Sequence, residues 1–465
     1  MGNHEICWMS AVNLAAAIRE KRFSPVEVVE AILERIEVIN PRINAYVTLT
    51  ADSALAAAKE AEGAVMKGEN LGPLHGVPVS IKDLIYTRGV RTTMGSKLLE
   101  DFVPDEDAVL VTRLKEAGAI VMGKTNTPEF GLKILTDNKI FGITRNPWNL
   151  DRAPGGSSGG AAAAVAAGMG PLAAGNDGGG SIRIPSSCCG TFGIKPQFGR
   201  VPRYPVFHGM DILTHEGPIT RTVADAALML DVMAGPHWGD MFSIPAPGIK
   251  FSESLKGGVK GLKIAWSPDL GYAEVDPEVL SICEKAAEQF SKMGAEMEEA
   301  NPGFDNPETF YSQIIVADQV AAMEPFGPID KIAEALDPIT STIMYVGAEM
   351  KAVDLARALF DRQALAVKMG KFFQEYDLLV TPTLAAPPPP IDYKDPAGFL
   401  KWLPFILVYN LTGRPAASVP AGWTADGLPV GLQIGGKPYD EATVFRAAAA
   451  FEEACPWAQK KPPID

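Results

Sequence analysis

Three segments carry residues whose types and spacing suit chemistry on a carbonyl group. In LHGVPVSIKD an apolar run ends on Lys82, directly before Asp83. A lysine that lays its stem along a strand end and keeps its head in water is the ordinary reading of such a position. Burial offers another: desolvation disfavours the ammonium form, lowers the pKa and leaves an amine able to take a proton. In PGGSSGGAAAAVAAG two serines, Ser157 and Ser158, stand between glycine pairs ahead of an alanine-rich helical run, where backbone amides converge. In AAGNDGGGSIRIPSSCCG, Gly178, Gly179 and Gly180 lead directly into Ser181, so that successive amides can face one developing negative charge, as in an oxyanion hole. Asp177 and Arg183 bracket that turn with opposite charges, and an ion pair that fixes the loop is the simpler role for them.

Other chemistries fit less well. The glycine pairs around Ser157 could cradle a phosphate at a helix start, but the Lys-Ser/Thr of a nucleotide-binding loop is missing. Gly155 to Gly159 also match G-x-S-x-G, yet PWNLDRAP before them is not the hydrophobic strand that a nucleophile elbow requires. A Ser-His-Asp mechanism would need His4, His75, His208, His215 or His237 as its base, and none has a recognisable acid-base context. Adjacent Cys188 and Cys189 have no flanking cation to favour a thiolate, which points to buried packing rather than redox control.

The elements that must position these groups follow from periodicity. Val28, Val29, Ile32, Ile36 and Ile39 recur at helical spacing, with Ser24-Pro25 as the start signal, so residues 1–70 open as helices. From Gly72 short β-branched runs at 77–81 and 119–123 flank a helix around Asp107 to Ala117, the alternation of an α/β sheet. Residues 71–240 are expected to form the core and 241–404 a variable lobe over it, with helical stretches near Glu278 to Glu299 and from Phe310 to Phe373. Residues 405–465 return to strand texture in AASVPAG and PVGLQIGG and end in an alanine-rich helix, all within one domain.

Composition narrows the partners. The 465 residues include 42 basic and 56 acidic side chains for a net charge of −14, which is not the footprint of a nucleic-acid binder. No run is long and apolar enough to span a bilayer, no secretory leader is evident, and 5 cysteines without paired spacing fit a reducing cytoplasm and no metal site.

Together GVPVSIKD, GKTNTPEF, NPWNLDRAPGGSSGG, GNDGGGSIRIP, GIKP, EGPITRTVADAALML, LTGRPAASVPAG and GLPVGLQIGG occur in the order found in the amidase signature family, and the chain resembles that family over most of its length. The resemblance implies an α/β fold with a large mixed β-sheet covered on both sides by helices. It also implies a Ser-cisSer-Lys triad: Ser181 as nucleophile, Ser157 as bridging serine after a cis Gly156-Ser157 bond, and Lys82 as base. The oxyanion hole would be formed by the amides of Gly178, Gly179, Gly180 and Ser181, with Ser158, Asn176, Asp177 and Arg183 in support. No metal or organic cofactor is implied. The substrate would be a small-molecule amide, ester or carbamate, and a homodimer is an expectation by resemblance alone. Retention of all three triad positions speaks against a non-catalytic binding protein.

The family also includes the glutaminase subunit of tRNA-dependent amidotransferases. That subunit reads Gln in the nucleophile loop where this chain has Ile184, and its glutamine-recognition segments are not found between 300 and 360, so the stand-alone hydrolase is expected. Asn176 and Gln197 depart from the threonines frequent at their positions, and Asn176 adjoins the oxyanion loop. Phe130, Gly131 and Leu132 are the candidates for substrate contact. Ile134, Phe310, Tyr311, Phe326, Tyr345, Trp402 and Phe405 supply further apolar side chains, some for an acyl or aryl pocket and most suited equally to the core.

Overall fold

The first long helix, Pro25–Ile43, begins where the sequence signals it. Ser24 caps it, with Ser24 N donating to Glu27 Oε2 at 2.8 Å in a reciprocal capping box. Its Val28, Val29, Ile32, Ile36 and Ile39 stripe is buried against the sheet. The structure is a computed structural model that describes residues 3–207, 209, 211–393 and 401–464.

The strands in chain order are β1 (Tyr46–Leu49), β2 (Pro78–Lys82), β3 (Ile120–Thr125), β4 (Asp137–Asn138), β5 (Gly142–Ile143) and β6 (Leu172–Asp177). They continue as β7 (Phe192–Lys195), β8 (His215–Thr220), β9 (Lys263–Trp266), β10 (Glu296–Glu299), β11 (Leu378–Pro382), β12 (Ala416–Trp423) and β13 (Pro429–Gly436). Apart from the β4–β5 hairpin they form one 11-stranded sheet in the order β1-β3-β2-β6-β8-β7-β12-β13-β11-β9-β10. The sheet is mixed: β2 runs parallel to β3 and β6, β9 parallel to β10 and β11, and β8, β12 and β13 pair antiparallel. Every residue of β2, β7 and β13 is buried, and because alternate residues face opposite sides, both faces of the central sheet are covered.

Two expectations change in detail. The acidic stretch 278–299 is a helix only over Pro277–Lys292; after the turn at Gly294 it becomes the edge strand β10, whose three glutamates are compatible with its exposure. Residues 241–404 are not wholly a lobe, since β9, β10 and β11 extend the main sheet. The remainder, helices Glu308–Met323, Pro338–Ala348 and Ala352–Glu375, packs together, with Tyr311 of the first reaching Gly178, and a chain expected to be helical from 310 to 373 is broken by Pro328 and Pro338.

Candidate active site

Parallel pairing places the reactive groups side by side. Val79, Ser80 and Ile81 register with Leu172, Ala173 and Ala174, so Lys82 at the end of β2 and Asn176 near the end of β6 emerge at the same carboxyl edge. In an open α/β sheet this is where ligands bind, because the loops beyond the strand ends leave a crevice. Lys82 is fully buried. Its Nζ lies 2.7 Å from Ser157 Oγ and donates to Asn176 Oδ1 at 2.6 Å. Burial lowers its pKa to about 7, against the opposing pull of Glu216 and Asp177. A neutral amine in contact with a hydroxyl can take its proton near neutral pH.

Ser157 follows a cis Gly156-Ser157 peptide and precedes the helix Gly159–Ala166. Gly160 lets that helix start press against the end of β3, since a Cβ there would meet Asn126 N at 2.4 Å. The amides at this helix start are engaged within the protein: Gly160 N donates to Asn126 O and Ser158 N to Ser181 O, at 3.3 and 3.1 Å. A phosphate has no claim on them, and no strand leads into Ser157 as an elbow would require. Ser158 Oγ donates to Asn176 O at 3.2 Å and ties the two serine segments together.

The turn from Gly178 to Ser181 is held from below by a buried polar cluster. Arg183 donates to both carboxylate oxygens of Asp177 at 3.0 Å, and also to Ile406 O, Asn410 Oδ1 and Gln433 Oε1. Asn410 in turn donates to Asp177 Oδ1 at 2.8 Å. Burial alone would raise the Asp177 pKa, but Arg183 holds the carboxyl well below the usual carboxylate range. One expected oxyanion donor is spent here: Gly180 N donates to Asp177 Oδ1 at 2.7 Å, because the carboxylate reaches back under the turn that it caps. The amides of Gly178, Gly179 and Ser181 have no acceptor among the described residues. Replacing Arg183 with methionine leaves a buried, unpaired carboxylate, and the expected result is a loss of about 3–5 kcal/mol in unfolding free energy, read by chemical denaturation. A loss below about 1 kcal/mol would show the cluster to be dispensable.

Two cavities meet at Ser181. The larger, about 210 Å³, is lined by Leu132, Ile134, Ile184, Tyr311, Ile315 and Ile343 among others. The smaller, about 50 Å³, is lined by Ser157, Asn176 and Gly178 together with Phe130, Arg203, Glu216 and Gln319. Gly131 borders both, and a Cβ on it would stand 3.0 Å from Ser157 Oγ. The sequence candidates therefore divide: Phe130 lines the small cavity, stacked on Phe207 with ring centroids 5.3 Å apart, and Leu132 the large one. Tyr311 lines the large cavity and donates to Gly178 O at 3.2 Å. Phe405 is core, Tyr345 is exposed, Phe326 belongs to a separate apolar cluster and Trp402 lines a different cleft. Phe310 packs only on the rim of the second core.

Sequence reasoning missed Asn410, Gln433, Gln319 and Glu216. Glu216 had a signal, a carboxylate inside the wholly buried strand HEGPIT. No described histidine lines either cavity: His75 bonds Ala61 O, His215 is paired with Asp177 across the sheet and bonds Leu213 O, and His237 accepts from Gly239 N. His208 lies outside the described residues. Cys188 and Cys189 are buried free thiols whose pKa values burial pushes up. Of the two departures, Asn176 touches Lys82, whereas Gln197 accepts from Tyr439 N and fastens the C-terminal segment.

Residues 27–445 match the family described as Amidase, and with the strand-end lysine and two serine loops in place the chain belongs to the amidase signature family of amidohydrolases. Among its relatives is an acylamidase of Rhodococcus erythropolis, 44% identical, the match covering 99% of this chain and 98% of that one. A glutamyl-tRNA(Gln) amidotransferase subunit of Geobacter metallireducens is 38% identical, with 96% of each chain covered. The crystal structure of a bacterial aryl acylamidase superposes with a TM-score of 0.91 at 34% identity over 97% of both chains. No helix among the described residues is long and apolar enough to cross a membrane.

Proposed function

We propose that the protein hydrolyses amides of apolar acids through an acyl-enzyme on Ser181, with Ser157 and Lys82 as the proton relay. The observation that carries this reading is the contact of buried Lys82 with Ser157 at the strand edge where Ser181 opens to two cavities. Ser181 Oγ attacks the carbonyl as its proton passes to Ser157 and that of Ser157 to Lys82. The oxyanion is received by the amides of Gly178, Gly179 and Ser181, the Gly180 amide being held by Asp177. The relay then runs back, Ser157 protonating the leaving nitrogen, and repeats with water to release the acid. Ser157 and Lys82 relay every proton, including the one that water gives up in deacylation, so the cycle needs no metal or cofactor.

Orientation follows from the relay. Ser157 lines only the small cavity, so the nitrogen it protonates lies there and the acyl substituent extends into the apolar one. A cavity of about 210 Å³ with this lining suits an alkyl or aryl acyl group. The same acyl chemistry extends to esters and carbamates. Kinship with amidotransferase subunits favours a second reading, a glutaminase serving a partner. Against it, no Asp or Glu is among the described residues lining the large cavity, so the α-ammonium of glutamine would lack a counter-ion there.

The test is a panel of alkyl and aryl amides, esters and carbamates incubated with the protein alone, following release of amine or alcohol. Turnover of apolar acyl amides without glutamine or a partner is the expected result. Hydrolysis of glutamine only, or none until a partner is supplied, would replace this reading with the glutaminase.

A further inference from the structure

The small cavity contains two acceptors that the fold does not use. Glu216 is 5% exposed and Gln319 3% exposed, and both line the cavity beside Ser157 and Ser181. Glu216 Oε1 faces Arg203 Nε at 3.4 Å, an ion pair without hydrogen-bond alignment, while Glu216 Oε2 and Gln319 Oε1 have no hydrogen-bond partner among the described residues. The two come from separate elements, β8 and the helix Glu308–Met323, yet converge on one chamber. Buried acceptors left unpaired are costly, so a ligand that brings donors supplies what the fold alone lacks.

We infer that Glu216 and Gln319 recognise the N–H of the scissile amide and so make the enzyme selective for amides that carry a hydrogen on nitrogen. The inference rests on the orientation proposed above, with the leaving nitrogen on the Ser157 side. The size of the chamber agrees: where one water needs about 10–15 Å³, about 50 Å³ takes the nitrogen with its hydrogen and a short alkyl group, or water after the amine has left. The same acceptors would hold the deacylating water, which enters where the amine has left. An ester presents an oxygen to these groups and gains nothing from them, and a tertiary amide presents a methyl group to two unsatisfied oxygens. Sites built to bond a donor reject analogues that lack it, because their polar groups then remain unpaired.

Three compounds of one straight-chain apolar acid separate these cases: the N-ethyl amide, its isomer the N,N-dimethyl amide, and the ethyl ester. The N-ethyl amide is expected to exceed the N,N-dimethyl amide by at least about a hundredfold in kcat/KM, although the two have the same atoms. Gln319→Leu keeps the volume and removes the acceptor. It is expected to lower kcat/KM for the N-ethyl amide roughly tenfold and that for the ester less than about threefold. Comparable rates on the two isomeric amides, or an equal loss on amide and ester in the variant, would overturn the inference. The ester reports separately on Ser181: if it is hydrolysed while N–H selectivity is absent, only this inference fails, and if no compound is turned over, the proposed function fails with it. The isomer comparison needs no variant and stands even if Gln319→Leu does not fold.

Discussion

Ser181→Ala lowers kcat on every accepted amide by about 10⁶-fold, the scale at which loss of a nucleophile leaves only binding and oxyanion stabilisation. KM changes little, because the two cavities and the amides of Gly179 and Ser181 remain. The residue lies in a turn anchored by Asp177, whose carboxylate accepts from Gly180 N at 2.7 Å and from Ile182 N at 3.2 Å, so removing one hydroxyl should not disturb the loop. Steady-state kinetics with a denaturation curve for each protein checks both parts. A residual rate within tenfold of the parent at unchanged stability would remove Ser181 from the mechanism.

Lys82→Ala is expected to lower kcat by about 10⁴-fold, the upper range for a positioned base. Its pH dependence is more telling. Burial puts the Lys82 pKa at about 7, and the amine must be neutral to accept a proton, so activity should rise with pH through a limb near 7 and level off above it. Glu216 works in the opposite sense by favouring the ammonium form, and Glu216→Gln should move the limb to lower pH. A flat profile from pH 5 to 9, or a limb unaffected by Glu216→Gln, would mean that Lys82 is not the titrating base.

How much of this was legible in the sequence depends on the range of the interactions. Local signals were reliable: Ser24 and Pro25 start a helix, β2 and β3 fall within a residue or two of the alternation that suggested them, and PVGLQIGG is a strand throughout. The chemistry-bearing loops were legible because glycines and serines at that density serve geometry more than packing. Long-range pairings were not. Asn410 and Gln433 meet Arg183 across more than 200 residues of chain, and although Gln433 is the one polar side chain in PVGLQIGG, nothing near either residue names Arg183 as its partner. The Gly180 amide also misled, because a run of glycines shows which amides are available and not which of them a nearby carboxylate takes. The cavity wall at Ile315, Val316, Ile339 and Ile343 was invisible for a related reason: periodicity marks an apolar face but not what that face meets.

The central claim is a covalent acyl intermediate on Ser181. It is tested most directly by acid-quenching the protein during turnover of an activated ester of an apolar acid and locating the added acyl mass by peptide mass spectrometry. The account predicts the acyl group on the peptide containing Ser181, and none in Ser181→Ala. An adduct on Ser157, or turnover with no protein-bound acyl group even when deacylation is slowed at low pH, would contradict it.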